Sequence, residues 1–164
     1  METPTQVFFY GEKHSQFGCF SNFYPCSFID ECDTKFNCSE QYFMYKKCQL
    51  FDSQNYKLLE LILNEKSPSL IKKYGRQVKN FDETIWNQHK YKIMLNGLRL
   101  KFSQNPSIKH ILIKTDTKNL YEASPYDKIW GIGYIAKNAI NVDESKYGEN
   151  LLGKALMELR KEFN

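Results

Sequence analysis

The stretch Ser39 to Phe51, Ser-Glu-Gln-Tyr-Phe-Met-Tyr-Lys-Lys-Cys-Gln-Leu-Phe, constrains this chain more than any other. Tyr42, Phe43, Tyr45 and Phe51 make it a helix that is apolar almost all round, and such a helix is buried on several faces. The fold must be arranged about it. Yet the same helix carries Glu40 and Lys47. Seven residues are almost two turns, so both side chains leave one face about 10 Å apart along the axis, with Phe43 between them. Charged helical residues usually project into solvent. On a helix buried this widely they need partners or a ligand. The pair is either solvated or a site, and the rest of the chain has to decide.

Punctuation residues divide the remainder. Val7-Phe8-Phe9-Tyr10 reads as a strand ending at Gly11, and Phe20 to Tyr24 runs into Pro25. Ser27 to Ile29 and Lys35 to Asn37 suggest a hairpin through the acidic turn Asp30 to Asp33. Ser39 is the expected N-cap of the first helix, with Glu40 favourably placed in its first turn. A second helix is expected over Gln54 to Asn64. A third has Ser67 as cap, Pro68 at its first position and Gly75 past its end. A long fourth runs from Asp82 to about Gln104, where Asn105-Pro106 stops it. Ile108 to Ile113 suits either state; Pro106 favours a helix start there, with a strand at Asn119 to Ala123. Ser124 to Tyr147 is irregular and too long for a plain connection, which marks it as functional. A last helix covers Leu151 to about Glu162.

These elements, with a length of 164 residues, fit one domain over 1–164 that needs no staples or metals. The expected class is α+β, mainly helical, with five to six helices packed around a small N-terminal sheet or hairpin. The aromatic share is 15%, more rings than such a core needs, so some line a pocket for a flat ligand. Net charge is +4 with the positives scattered. This permits an anionic ligand such as a phosphate ester without demanding a nucleic-acid groove. No apolar run approaches the ~20 residues of a membrane span, and Met1 to Gln6 lacks signal-peptide regions. Cys19, Cys26, Cys32, Cys38 and Cys48 match no zinc spacing, and an odd count without a signal peptide points to reduced thiols in a cytoplasmic compartment. His14, His89 and His110 pair with none of them in any nucleophile motif. No metal site is expected, and no obligate protein partner is evident.

Further candidates lie outside the aromatic helix. In Asp127-Lys128-Ile129-Trp130-Gly131-Ile132-Gly133, Gly131 and Gly133 free the backbone for positive φ or close approach to a ligand. Trp130 offers a stacking plane and Asp127 an acid or a hydroxyl acceptor. The same segment also reads as a glycine-rich turn capped by a core tryptophan. It matches neither the phosphate-loop nor the dinucleotide fingerprint. Asn22, beside Phe23 in a turn, suits a base edge, a sugar or an Asx-turn. Arg76 after a helix end suits bidentate phosphate contacts, or is a surface residue. Trp86 suits the core better than stacking, and Asn150 is most simply the N-cap of the last helix.

Taken in order, these pieces resemble the NADAR (YbiA-like) family over nearly the whole chain. The correspondence runs through Phe20-Ser21-Asn22-Phe23, Ser39-Glu40 with Lys47, and Gly75-Arg76. It continues through Trp86, Met94, Lys101-Phe102, Glu122, Asp127 with Trp130-Gly131, and Asn150-Leu151-Leu152-Gly153 leading into Leu156 to Arg160. One departure is Gln41, where the family usually has His. An amide cannot shuttle protons as imidazole can, so a hydrogen-bonding role survives there and an acid–base role does not.

The resemblance implies an N-glycosidase acting on ribosyl N-glycosides without metal or organic cofactor. Its substrate would be either ADP-ribose attached to guanine, including within DNA, or a ribosylaminopyrimidine phosphate of early riboflavin synthesis. Both join ribose to an exocyclic amine, a bond that can ring-open to an imine at the anomeric carbon. Lys47 would attack that carbon and exchange the base for itself as a Schiff base, which water hydrolyses. Glu40 and Asp127 would carry protons. Trp130 or Trp86 would stack on the base, while Asn22 and Arg76 hold polar or phosphate groups; Phe23, Gly131, Gly133 and Asn150 complete the expected substrate-binding set. A competing route keeps the ring closed, with a carboxylate activating water and Lys47 only positioning or binding phosphate. A non-catalytic ADP-ribose or nucleotide-binding module would use the same aromatics, glycines and Arg76.

Overall fold

Pro68 and Pro106 open the third and fifth helices, and Asn55 and Asp82 cap the second and fourth. In the computed structural model, which describes residues 1–14 and 16–163, the elements run β1 (Gln6–Phe9), β2 (Phe28–Ile29), β3 (Lys35–Phe36), α1 (Ser39–Phe51), α2 (Tyr56–Asn64), α3 (Pro68–Gly75) and α4 (Glu83–Ser103). They continue with α5 (Pro106–Lys114), β4 (Asn119–Glu122), the short α6 (Ala136–Ala139) and α7 (Leu151–Phe163). The class is α+β and mainly helical, as expected; the four-residue α6 is the helix the sequence did not suggest. Two compact units are distinguished. One is the continuous segment Pro25–Asn105, and the other joins Met1–Tyr24 to Pro106–Asn164.

The continuous unit is built on α1, which packs against α2, α3 and α4. The helix that is apolar on most sides is thus covered on several. Close approach depends on two glycines. A Cβ on Gly75 would lie 1.9 Å from Met44 Sδ, and one on Gly97 would lie 2.6 Å from Tyr42 Cδ1. Tyr42 then meets Phe28 and Phe36 of the β2–β3 hairpin. The acidic turn of that hairpin is closed by Asp30, whose Oδ1 accepts from the backbone N–H groups of Cys32 and Thr34, both at 3.0 Å. Lys46 of α1 pairs with its Oδ2 at 3.0 Å.

Capping differs from the sequence expectation at α1. Cys38 holds the cap position in extended backbone (φ −167°, ψ 163°), so Ser39 is already helical. Its hydroxyl oxygen is buried with no hydrogen-bond partner. The capping work is done from the third helical residue. Gln41 Oε1 accepts from Asn37 N at 2.8 Å, reaching back as a capping-box residue does. Gly75 likewise sits inside the end of α3, and Arg76 follows it as the C-cap. Asp82, where the fourth helix was expected to begin, is its N-cap and accepts from Ile85 N at 2.8 Å.

The second unit rests on a parallel pair that sequence reading did not find. β1 runs beside β4, with Val7 opposite Leu120, and α7 covers β4. Phe8 stacks on Tyr121 at 5.2 Å, with Ala123, Ile132 and Ala139 completing that cluster. Arg160 of α7 donates to Thr115 Oγ1 at 2.6 Å and to the Lys118 carbonyl at 2.9 Å. The irregular region 124–147 is ordered by backbone bonds. Gly148 N donates to Ile132 O at 2.9 Å, Glu149 N to Lys128 O at 2.7 Å, and Leu152 N to Trp130 O at 3.1 Å. No helix among the described residues is long and apolar enough to cross a membrane.

Candidate active site

On α1, Glu40 and Lys47 are not a solvated pair. Glu40 is 6% exposed and lies in the first turn, where the helix dipole favours an anion. Lys47 is half-buried. Phe43, between them on the same face, is 5% exposed and packs on Trp86 at 4.9 Å. The aromatic surroundings that made this helix apolar are what keep water from the two charges.

The Lys47 ammonium is held from two directions. Nζ donates to the carbonyl of Gly75 at 2.9 Å. It also lies 4.5 Å from the ring centroid of Phe81 and 5.8 Å from that of Trp86, within cation–π range. Burial lowers its pKa from the ordinary lysine value; the Glu40 carboxylate opposes this and the Arg76 guanidinium adds to it. The outcome is an amine more readily deprotonated than a surface lysine, within electrostatic reach of a carboxylate on the same helix.

Two more expected residues join them. Trp86, half-buried in the second turn of α4, touches Phe43, Phe51 and Phe81. Arg76 is exposed at the end of α3, close enough for its charge to act on Lys47. The carbonyl of Gly75 and the rings of Phe51 and Phe81 complete this cluster and were not read from the sequence. A signal for Phe81 was present: it precedes the Asp82 cap, with Trp86 four residues into the helix, which is the pattern of a hydrophobic staple. Gln41 is 1% exposed and turned to the fold. Its Nε2 donates to the carbonyls of Ile62, Leu63 and Glu65 at 2.9, 3.0 and 3.1 Å, securing the end of α2. This is the hydrogen-bonding role left open to the amide.

In the second unit, Asp127 shapes a turn. Its Oδ1 accepts from Ile129 N and Trp130 N, both at 2.8 Å. Trp130 is half-buried there. A Cβ on Gly131 would lie 2.8 Å from the Glu122 carbonyl oxygen and 3.0 Å from that of Asp127, so no side chain fits. Gly133 has φ +77°, the left-handed region glycine favours. Asn150 is joined to this turn through its N–H, which donates to Gly131 O at 3.2 Å. Its amide group does not cap α7; it donates to Leu120 O at 2.8 Å and accepts from Glu122 N at 3.0 Å, continuing the edge of β4. The N-cap expectation for this side chain is therefore corrected: the strand takes both its polar atoms. Asn22 and Phe23 lie in a separate tight turn, where Phe23 N donates to Ser21 Oγ at 3.2 Å. Asn22 Oδ1 is buried without a hydrogen-bond partner, an acceptor of the kind that a ligand donor would satisfy.

All five cysteines are free, and burial pushes Cys38 and Cys48 up to about 11, where they stay protonated near neutral pH.

Comparison with known proteins finds relatives that match nearly the whole chain. The chain is 43% identical over 169 residues to the N-glycosidase R617 of Acanthamoeba polyphaga mimivirus, covering 99% of this chain and 98% of that protein. It is 31% identical to the riboflavin biosynthesis protein VVA0006 of Vibrio vulnificus, covering 99% of this chain and 39% of that longer protein. The E. coli protein YbiA, solved by NMR, shares the fold with a TM-score of 0.76 and 28% identity, over 99% of this chain and 87% of YbiA. Since the NADAR domain model also matches residues 8–164, nearly everything described above, the chain belongs to the NADAR domain family.

Proposed function

We propose that this protein is an N-glycosidase that hydrolyses the bond between ribose and the exocyclic amine of a base, through a Schiff base on Lys47. The observation that carries this reading is the state of Lys47: half-buried, its pKa lowered by desolvation, and electrostatically coupled to a carboxylate on the same helical face. Relatives named as an N-glycosidase and as a riboflavin biosynthesis protein support the reaction class.

Glu40, as a carboxylic acid, protonates the ribose ring oxygen as the C1′–O bond opens, and the exocyclic nitrogen supplies the electron pair that forms C1′=N. Neutral Lys47 adds to C1′, and the base leaves as its free amine, carrying a proton. The resulting Lys47 imine takes up water, collapses to the sugar aldehyde, and returns the amine; the aldehyde closes to the hemiacetal. An aromatic ring of the cluster around Lys47 stacks on the base, and the Arg76 guanidinium holds phosphate. The substrates that fit are ADP-ribosylated guanine, free or in DNA, and ribosylaminopyrimidine phosphates.

Borohydride added during turnover reduces an imine irreversibly, so mass spectrometry should find a ribosyl adduct on the Lys47 peptide. Turnover by Lys47→Ala near the parent rate would exclude the imine route and leave the closed-ring one. Binding of ADP-ribosylated guanine oligonucleotide with no release of ADP-ribose would instead make the protein a reader.

A further inference from the structure

Phe81 has an ordinary explanation that does not account for its position. It precedes the Asp82 cap and meets Trp86 at 6.5 Å, a staple that fixes how the chain enters α4. A staple residue gains by burial, yet Phe81 is 45% exposed. Its segment is also tied down. Lys79 N donates to Asp52 Oδ2 at 3.2 Å, Asn80 Nδ2 donates to Phe51 O at 3.5 Å, and Asn80 takes a left-handed backbone, φ 55°. These bonds fix the ring against Phe51 at 5.3 Å and 4.5 Å from Lys47 Nζ.

We propose that Phe81 is the platform on which the planar base of the substrate stacks, making it a specificity-determining residue for aromatic leaving groups. The proposal rests on the N-glycosidase reading above. An attacking amine must come within about 3 Å of the anomeric carbon. The exocyclic nitrogen is bonded to that same carbon, so the base ring begins within one further bond of it. A solvent-exposed aromatic ring 4.5 Å from the amine lies where that base can be met face to face. Trp86 is less suited to this task. It is enclosed by Phe43, Phe51 and Phe81 and serves as the backing that keeps Phe81 in place.

The test uses the full chain and an N-ribosyl phosphate of an aminopyrimidine as substrate. Phe81→Leu keeps an apolar staple and removes the π-face; Phe81→Tyr keeps both. Stacking acts on ground and transition states alike, so Phe81→Leu should raise KM roughly 10-fold with kcat held within about twofold, and Phe81→Tyr should restore KM. An unchanged KM in Phe81→Leu overturns the assignment. So does a joint fall of kcat and melting temperature in both variants, which would leave Phe81 a staple only. A wild-type chain inert on this substrate and on ADP-ribosylated guanine alike would instead overturn the N-glycosidase reading and this assignment with it.

Discussion

Lys47 Nζ donates to the Gly75 carbonyl at 2.9 Å, so the amine of α1 is aimed by the last helical residue of α3. That bond sets Lys47 beside Arg76, the next residue, while Glu40 acts on it from its own helix. The ionisation of the amine is therefore adjustable in both directions.

Glu40→Gln removes the charge that raises the Lys47 pKa, so it should lower that pKa further. Arg76→Gln removes a charge that lowers it, so it should return the amine toward the ordinary lysine value. Acetylation of Lys47 by limiting acetic anhydride, read by peptide mass spectrometry across pH, should shift its midpoint down in the first variant and up in the second. Shifts of the same sign would rule out this charge arrangement.

Gly75→Ala places a methyl group 1.9 Å from Met44 Sδ. The methionine can move, but only by disturbing the α1–α3 contact, at a cost of about 1–3 kcal/mol. Urea unfolding should show this loss. Combining Gly75→Ala with Met44→Ala should cost less than the two separate losses added together, because the same space is involved.

Gln41→Met keeps the length of the side chain and removes four hydrogen bonds, one accepted from Asn37 and three donated to the end of α2. The carbonyls are left without that donor in a buried place, so unfolding free energy should drop by about 2 kcal/mol. If Gln41 took part in proton transfer instead, the variant would lose turnover without losing stability.

Asn150 separates two contributions at one position. Both Asn150→Gly and Asn150→Ala lose the bonds to Leu120 and Glu122. Only alanine must also hold φ 53°, a left-handed conformation that costs an L-residue about 1 kcal/mol. Thermal unfolding should rank glycine above alanine, contrary to the usual preference for alanine near a helix start.

What the sequence revealed and what it concealed follow from how local each signal is. The burial of Glu40 and Lys47 was legible because aromatic residues surround them on one helix, and the bounds of α4 were legible to within a residue from Asp82 and Asn105-Pro106. Gly75 was misread as a residue past the helix end because what it answers to is Met44, a neighbour from another helix. Ser39 has the composition of a cap, but Cys38 is the residue in extended backbone, and Gln41 supplies the reach-back bond. Asn150 was read as a cap because Asn before a helix usually is one; the strand that takes its amide is remote in sequence. Phe81 went unnoticed since an apolar residue before a capped helix already has a sufficient local reason to be there.

The β1–β4 pair has a consequence for the order in which the chain can assemble. Gln6 and Asn119 are opposite each other although more than a hundred residues separate them. A nascent chain presents β1 first and its partner late, whereas Pro25–Asn105 is continuous and holds α1 to α4 entire. Lys47, Gly75 and Phe81 are thus all synthesised while β1 still waits for β4. In the order of synthesis, every residue that frames the amine precedes the parallel partner of the first strand.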